Sequence, residues 1–401
     1  MKLSKRINKT NASPIRKFVP LANQAEKSGV KVYYLNIGQP DLRTPSTIIK
    51  SLKNYQQNPI SYAPSTGFEE TRKAWGEYFK KYRLNYKAEE ILITNGASEA
   101  LIWLFITLCD PGDEVLVFEP FYTNYKSFAS AVNVKLVPVT CRVEDNFALP
   151  SDKAIEKKIT KRTKAVIICN PNNPTGTLYN KKAVSRLVKI VKKYRLWLIS
   201  DETYREMVFN QKDIISLYWW PEIRQQLIIT DSVSKRFSFC GGRVGCLASK
   251  NRTVIENCLK LAQARLSASS LEQMSVLTIL KNPKTYTAQL VKEYKRRADV
   301  VYQALNQIPG VVCRQPQGAF YIIASLPIDD AEKFVSFMLA RFRYQKQTVM
   351  VTPAADFYAT PGLGKKEIRI AYVLNTKELK KAMVVLQKGL EEYNNISKLK
   401  I

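Results

Sequence analysis

Apolar residues recur in two rhythms along the chain. Between about 90 and 250, short continuous apolar runs fall at 91–93, 114–118, 134–139, 165–169, 196–200, 227–231 and 244–248. Between several of them, at 98–108 and 181–194 for example, apolar residues are spaced three and four apart. A short apolar run bounded by turn residues reads as a buried strand, and the wider spacing as a helix with one face on a core. Strands alternating with helices predict an α/β domain on a mostly parallel, mixed sheet flanked by helices. Ligands of such sheets sit outside the carboxyl ends of the strands, so chemistry is expected there.

Past 285 the rhythm changes. A long helical pattern over 286–307 closes at Pro309-Gly310; strand patterns follow at 311–314, 320–324, 348–351 and 368–372, with helix patterns at 329–342 and 376–393. This predicts a smaller α+β domain that the N-terminal segment joins. The division expected is 46–285 for the large domain, with 1–45 and 286–401 forming the small one.

A length of 401 residues suits two domains, and 45% hydrophobic with 24% charged residues is ordinary globular composition. No stretch approaches the roughly 18 uncharged apolar residues of a membrane span. The basic start, Met1-Lys2-Leu3-Ser4-Lys5-Arg6, runs into no apolar segment, so a secretory signal is not expected and the chain is placed in the cytoplasm. Histidine is absent, which excludes Ser-His-Asp and Cys-His catalysis and His-ligated zinc. Seven cysteines without a C-x-x-C spacing argue against a disulfide framework or a four-thiolate metal site. The net charge of +29 is spread along the chain, as in Lys181-Lys182, Lys192-Lys193 and Lys380-Lys381. That pattern reads as a solvated surface and not as a specific nucleic-acid site. The basic extremes, 2–9 and 398–400, read as frayed termini.

Four segments carry chemistry. Asp231-Ser232-Val233-Ser234-Lys235, followed by Gly241-Gly242-Arg243, places a lysine among small polar residues just after a strand, with an arginine eight residues on. Such a lysine can form a Schiff base with a carbonyl, and a guanidinium suits phosphate; a surface loop lysine is the plainer reading. Ser200-Asp201-Glu202-Thr203-Tyr204 ends an apolar strand on a carboxylate, which could hold a pyridine nitrogen protonated or merely cap the next helix. Asn170-Pro171-Asn172-Asn173-Pro174-Thr175-Gly176 follows another strand and has the composition of a turn. In Asn95-Gly96-Ala97-Ser98, free N–H groups at a helix start could hold a phosphate, or Ser98 could be a cap.

In this order the motifs resemble the class I/II aminotransferases of the aspartate aminotransferase family, pyridoxal-phosphate enzymes of fold type I. The resemblance runs from Leu35-Asn36-Ile37-Gly38-Gln39-Pro40-Asp41 to Arg369-Ile370-Ala371. It implies a homodimer acting on amino acids and 2-oxo acids, with pyridoxal 5'-phosphate bound to Lys235. By the same resemblance Asp201 pairs with the pyridine nitrogen, Tyr204 and Asn173 with the phenolic oxygen, and Tyr122 stacks on the ring. Ala97, Ser98, Ser232 and Arg243 would hold the phosphate, joined by Tyr62 from the neighbouring subunit. Arg369, with Gly38 and Asn173, would clamp the α-carboxylate. The missing histidines cost this mechanism nothing, because the lysine does the acid–base work.

Two departures bear on this resemblance. Gly242 stands where the family often carries a bulky residue, so packing beside Arg243 must differ. Ser98 stands where some bacterial relatives carry a lysine that reads a side-chain carboxylate. Arg265 resembles the position from which other members reach across the dimer to that group, with Arg16 and Arg43 in reserve. The expectation is an aspartate-preferring transaminase; aromatic or branched-chain specificity, a β-lyase or decarboxylase on the same cofactor grip, and a nucleic-acid-binding protein on a degenerate enzyme fold are the alternatives. Retention of both Lys235 and Asp201 speaks against the last.

Overall fold

The computed structural model describes residues 3–398 other than 5, 11 and 12. In chain order its strands are β1 (Lys31–Tyr34), β2 (Ile91–Thr94), β3 (Glu114–Glu119), β4 (Lys135–Thr140), β5 (Thr163–Cys169), β6 (Trp197–Asp201), β7 (Leu227–Ser232), β8 (Gly245–Ser249), β9 (Val312–Cys313), β10 (Tyr321–Ser325), β11 (Gln347–Met350), β12 (Thr352–Pro353) and β13 (Glu367–Ala371). Each strand predicted between 90 and 250 forms within two residues of its expected bounds.

Seven strands make one sheet in the order β2-β8-β7-β6-β5-β3-β4, parallel throughout except for β8, which runs antiparallel to both neighbours. Their residues are apolar on both faces because both faces are covered. Val115, Val117, Ile167, Ile199 and Ile228 pack among Leu101, Leu104, Val254 and Cys258 on one side. Their neighbours Leu116, Ile168, Leu198 and Ile229 pack among Trp75, Tyr78, Leu187 and Val191 on the other. Successive side chains of a strand point to opposite faces, and that alternation assigns each residue its layer.

The C-terminal part holds a four-stranded antiparallel sheet, β12-β13-β10-β9, against the helices Lys284–Asn306, Ala331–Ala340 and Thr376–Lys398. Phe18, Ala22, Val32 and Tyr33 from the N-terminal segment sit in the same core as Val301, Phe334, Ile370 and Leu386. Strand β1 completes that unit by pairing in parallel with β11. The chain thus has the α/β architecture expected of it, with a smaller α+β portion beside the large sheet. No helix among the described residues is long and apolar enough to cross a membrane.

The ends differ from expectation. Ile7–Lys9 form a turn of 3-10 helix and the Arg6 guanidinium donates to the Ala131 carbonyl at 3.3 Å, so this stretch is tied down. The last helix runs on to Lys398. Lys2, Lys5 and Lys400 lie outside the described residues.

Candidate active site

Register brings the motifs together. Cys169 on β5 lies beside Asp201 on β6, which lies beside Thr230 on β7, so the three carboxyl ends finish level. Above them opens a cavity of about 550 Å³ lined by Asp201, Tyr204, Lys235, Arg243 and Arg369, among others. A larger surface cleft of about 1080 Å³ gathers none of the singled-out residues, so volume alone does not mark the site.

Lys235 sits in the single turn Val233–Arg236 that follows β7. Its Nζ donates to the Gly38 carbonyl at 2.8 Å and lies 3.8 Å from Cys240 Sγ. Burial pushes the ammonium pKa down; Cys240 opposes that shift, and the Arg243 and Arg369 charges add smaller pushes in the same direction as burial. Desolvation and like charge both favour the neutral amine, the form that attacks a carbonyl or accepts a proton.

Asp201 is buried at the tip of β6. Thr203 donates to its Oδ1 through both N (3.2 Å) and Oγ1 (2.7 Å), and the Tyr125 hydroxyl donates to Oδ2 at 2.8 Å. No helix begins here, so these bonds fix the carboxylate and do not make it a helix cap. No cation lies within ion-pair distance of it among the described residues. Burial raises its pKa while Thr203 and Tyr125 oppose the shift. Tyr204, also buried, shares a hydrogen bond with Tyr321 at 2.9 Å; burial and then the Tyr321 neighbour raise its pKa.

The helix Ala97–Leu108 starts at the cavity behind Gly96, which has φ +77 and puts no side chain over the first turn. A Cβ on Gly96 would fall 2.5 Å from Arg243 Nη2, so only glycine lets the guanidinium approach. Arg243 donates to the carbonyls of Cys240 (3.0 Å) and Asn95 (3.2 Å). The bulk missing at Gly242 is supplied by Phe239, whose ring occupies the space a Cβ there would need. Ser232 also lines the cavity, but its hydroxyl is engaged with Ser234 and the Val244 carbonyl. Tyr122 lines the same wall, its hydroxyl pKa raised by burial.

Arg369 on β13 is buried, yet no carboxylate among the described residues pairs with it. It donates to the Asn36 carbonyl (2.5 Å) and to Asn173 Oδ1 (3.3 Å), and its guanidinium lies over the rings of Tyr321 and Phe357. Its Nε is buried without a partner. Gly38 crosses close by, where a Cβ would meet the Tyr321 hydroxyl at 1.8 Å.

Three expected residues stand elsewhere. Tyr62 is 80% exposed and does not line this chain's cavity. Arg43 is exposed and likewise absent from the lining. Arg265 is engaged within its own chain: it pairs with Glu99 at 3.0 Å, donates to the Ser65 and Ile93 carbonyls, and covers the Trp103 ring. Arg16, named only as a reserve, does line the cavity. Sequence reading missed Tyr125, Thr203, Tyr321 and Cys240. Tyr125 follows Tyr122 by three residues at the start of a helix, a spacing that brings both to one side.

A family model for aminotransferase class I and II matches residues 30–386. The chain is 30% identical over 396 residues to an aspartate aminotransferase of Pyrococcus horikoshii, covering 97% of each. It is 29% identical to a probable aspartate/prephenate aminotransferase of Aquifex aeolicus, over 97% of this chain and 99% of that one. Among solved structures, an aspartate aminotransferase from Thermus thermophilus with maleate superposes with a TM-score of 0.89 at 26% identity, over 97% of this chain and 100% of the other. An alanine aminotransferase from Pyrococcus furiosus gives 0.89 at 31% identity, over 98% and 100%.

Proposed function

The chain belongs to the aminotransferases of class I and II, pyridoxal-phosphate enzymes of fold type I, and we propose that it moves an amino group from an L-amino acid, aspartate favoured, to 2-oxoglutarate. The observation that carries this reading is a pair of buried, opposite charges in one cavity, each left without a counter-charge: the Asp201 carboxylate and the Arg369 guanidinium. Buried charges are costly unless paired, so both positions call for a ligand. A protonated pyridine nitrogen answers Asp201, a substrate α-carboxylate answers Arg369, and the glycine-opened helix start beside Arg243 fits a phosphate. The residues present therefore suit pyridoxal phosphate.

When bound, the cofactor supplies an electron sink that makes the substrate α-proton removable. The chain's own residues do the rest. Lys235, whose pKa burial lowers, would hold the cofactor through its Nζ and, where its amine is free and neutral, would be the base that moves the substrate α-proton. Asp201 holds the ring nitrogen charged, with Tyr125 and Thr203 fixing its two oxygens. Tyr204 and Asn173 would hold the phenolic oxygen, and Tyr122 would flank the ring. Ala97, Ser98, Ser232 and Arg243 hold the phosphate. Arg369, with Asn173 and the Gly38 backbone, orients the substrate.

A homodimer fits the exposure of Ile60, Tyr62 and Leu266, grouped where Ser65 Oγ donates to the Leu266 carbonyl. Tyr62 would then complete the neighbour's phosphate site. The division at 46 and 286 is supported by the two sheets, although Ile323, Ala354 and Phe357 pack in the large-sheet core and Cys169, Tyr204 and Met207 in the other; seven free cysteines suit the reducing cytoplasm. A second reading, in which the donor lacks a distal carboxylate, is favoured by the engagement of Arg265 with Glu99. Borohydride treatment of the holoenzyme tests the core of the proposal: the cofactor should be fixed on Lys235, and peptide mapping to another lysine would refute it. A panel of amino donors with 2-oxoglutarate then decides between the two readings.

A further inference from the structure

We propose that the larger surface cleft, of about 1080 Å³, is a second ligand site whose occupant is a nucleoside polyphosphate. It shares no lining residue with the cavity around Lys235 and does not depend on the aminotransferase reading. Both portions of the chain wall it. Parts of 81–83, 145–149, 177–183 and 212–219 come from the large-sheet side, and Lys284, Thr287 and Gln317 from the C-terminal part. Its volume lies near the top of the roughly 300–1,000 Å³ typical of small-molecule sites.

Charge sets the sign of the ligand. The cleft is lined by Lys81, Arg83, Lys181, Lys212 and Lys284 against Asp145 and Asp213. None of these five cations makes a side-chain hydrogen bond or an ion pair among the described residues, and Asp213 already accepts from Asn210 at 2.9 Å. Exposed lysines elsewhere do find acids: Lys17 reaches Glu332 at 2.6 Å and Lys193 reaches Glu156 at 2.7 Å. A net charge of +29 leaves some lysines unpaired, but it does not gather five cations around one hollow. A concave surface of one sign focuses its field, which favours a multiply charged anion over a single carboxylate.

The aromatic lining selects a flat ring. Tyr82 and Trp219 are half-buried and line the cleft, as do the apolar Leu149, Ile214 and Ile215. The two rings are held before any ligand arrives. Trp219 Nε1 donates to the Tyr82 carbonyl at 3.0 Å, and the Tyr82 hydroxyl donates to Glu206. The indole N–H is thereby used, so what Trp219 offers the cleft is ring surface, on which another ring can stack. Asn146, Asn180 and Gln317 supply amides to the same lining. Gln317 is anchored through Oε1 to Leu178 N at 3.3 Å, which leaves its amide N–H groups for a base edge or a sugar hydroxyl. An anion alone or a ring alone would engage half of these groups; a nucleoside di- or triphosphate engages both halves.

The test is calorimetric titration of the borohydride-reduced holoenzyme, whose fixed cofactor keeps other phosphates out of the active site, at about 0.15 M salt. ADP should bind saturably, and about tenfold or more tighter than either pyrophosphate or adenosine. Lys181→Gln combined with Lys284→Gln should weaken ADP about tenfold, since bonds to exposed charges sit at the lower end of their range. Lys189→Gln combined with Lys192→Gln removes the same charge from exposed positions outside the cleft and should leave ADP binding unmoved. Trp219→Leu should weaken ADP and adenosine while sparing pyrophosphate; the two lysine pairs carry the test if that variant does not fold. A cleft pair that leaves ADP unmoved overturns the inference. So do equal losses in both pairs, which would reduce the binding to the diffuse field of a basic protein. Pyrophosphate matching ADP, or no saturable binding by the unaltered protein, overturns it too.

Discussion

Replacing Tyr125 with phenylalanine removes one hydroxyl and nothing else. The ring is buried, packed against Phe121 at 6.2 Å and edge-on to Tyr122 at 5.6 Å, and phenylalanine keeps those contacts. What is lost is the 2.8 Å bond to Asp201 Oδ2. Bonds to charged groups are worth about 1.5–3 kcal/mol, and about 1.4 kcal/mol is tenfold. That bond favours the ionised carboxylate, so its loss shifts the Asp201 pKa further up, the direction in which burial already pushes it. Tyr125→Phe should therefore weaken cofactor binding by about one to two decades and carry the acid limb of kcat/KM to higher pH. Equilibrium dialysis of the cofactor and a pH–rate profile measure both. The decisive control is the double-mutant cycle with Asp201→Ala, in which the hydroxyl should no longer matter. An equal loss in the presence and absence of the Asp201 carboxylate would refute the coupling, as would a change below about twofold in the single variant.

Further outcomes follow from the same geometry. Asp201→Ala should lower turnover by orders of magnitude with circular dichroism unchanged, since it acts on the carbanion-like transition state; near-normal turnover would remove Asp201 from its role. Arg265→Ala should cost about 1–2 kcal/mol of stability through Glu99 and its carbonyl partners, and should leave the aspartate-to-alanine ratio unmoved in kinetics. In the apoenzyme, Lys235 has a lowered pKa, so the unfolded chain binds more protons between that value and 10.5. Its contribution is full above 10.5 and is lost as pH falls through the folded value. Apoenzyme melting should therefore rise with pH across that window, and less so in Lys235→Ala. Light scattering should find a dimer under assay conditions, and activity in a monomer would break the role given to Tyr62.

Much of this was legible in the sequence because the large sheet is buried on both faces. Burial forces continuous apolar runs such as Ala165–Cys169, and continuous runs can be read without knowing their neighbours. The candidate site residues were legible because they sit where those runs stop, on Asp201, Asn170–Gly176 and Ser232–Lys235. Strand β1 was harder to see. Lys31-Val32-Tyr33-Tyr34 is only four residues long, and its pairing partner β11 lies more than 300 positions away. Arg265 shows the same limit: what fixed its place was Glu99, 166 positions earlier, and spacing along the chain carries no trace of that pairing.

The sharpest limit lies between adjacent residues. Asp201 and Glu202 are both buried acids, and the half-buried Lys235 stands beside the buried Arg236. Glu202 pairs with Arg205 at 2.5 Å, and Arg236 pairs with Asp231 and Glu206. Arg205 reaches Asp231 as well, at 2.8 Å, closing a network in which charges satisfy one another. One residue away on each segment, Asp201 and Lys235 line the cavity, where no charged group among the described residues pairs with them. Composition cannot tell a finished ion pair from an unfinished one, since the residue types are the same. What decides which charge is kept for structure and which is left for a ligand is the direction each side chain takes, at and just past the end of β6 for Asp201 and Glu202 and in the turn after β7 for Lys235 and Arg236. The paired network beneath makes that arrangement workable, because it fixes the ends of β6 and β7 while the two reactive groups above remain open.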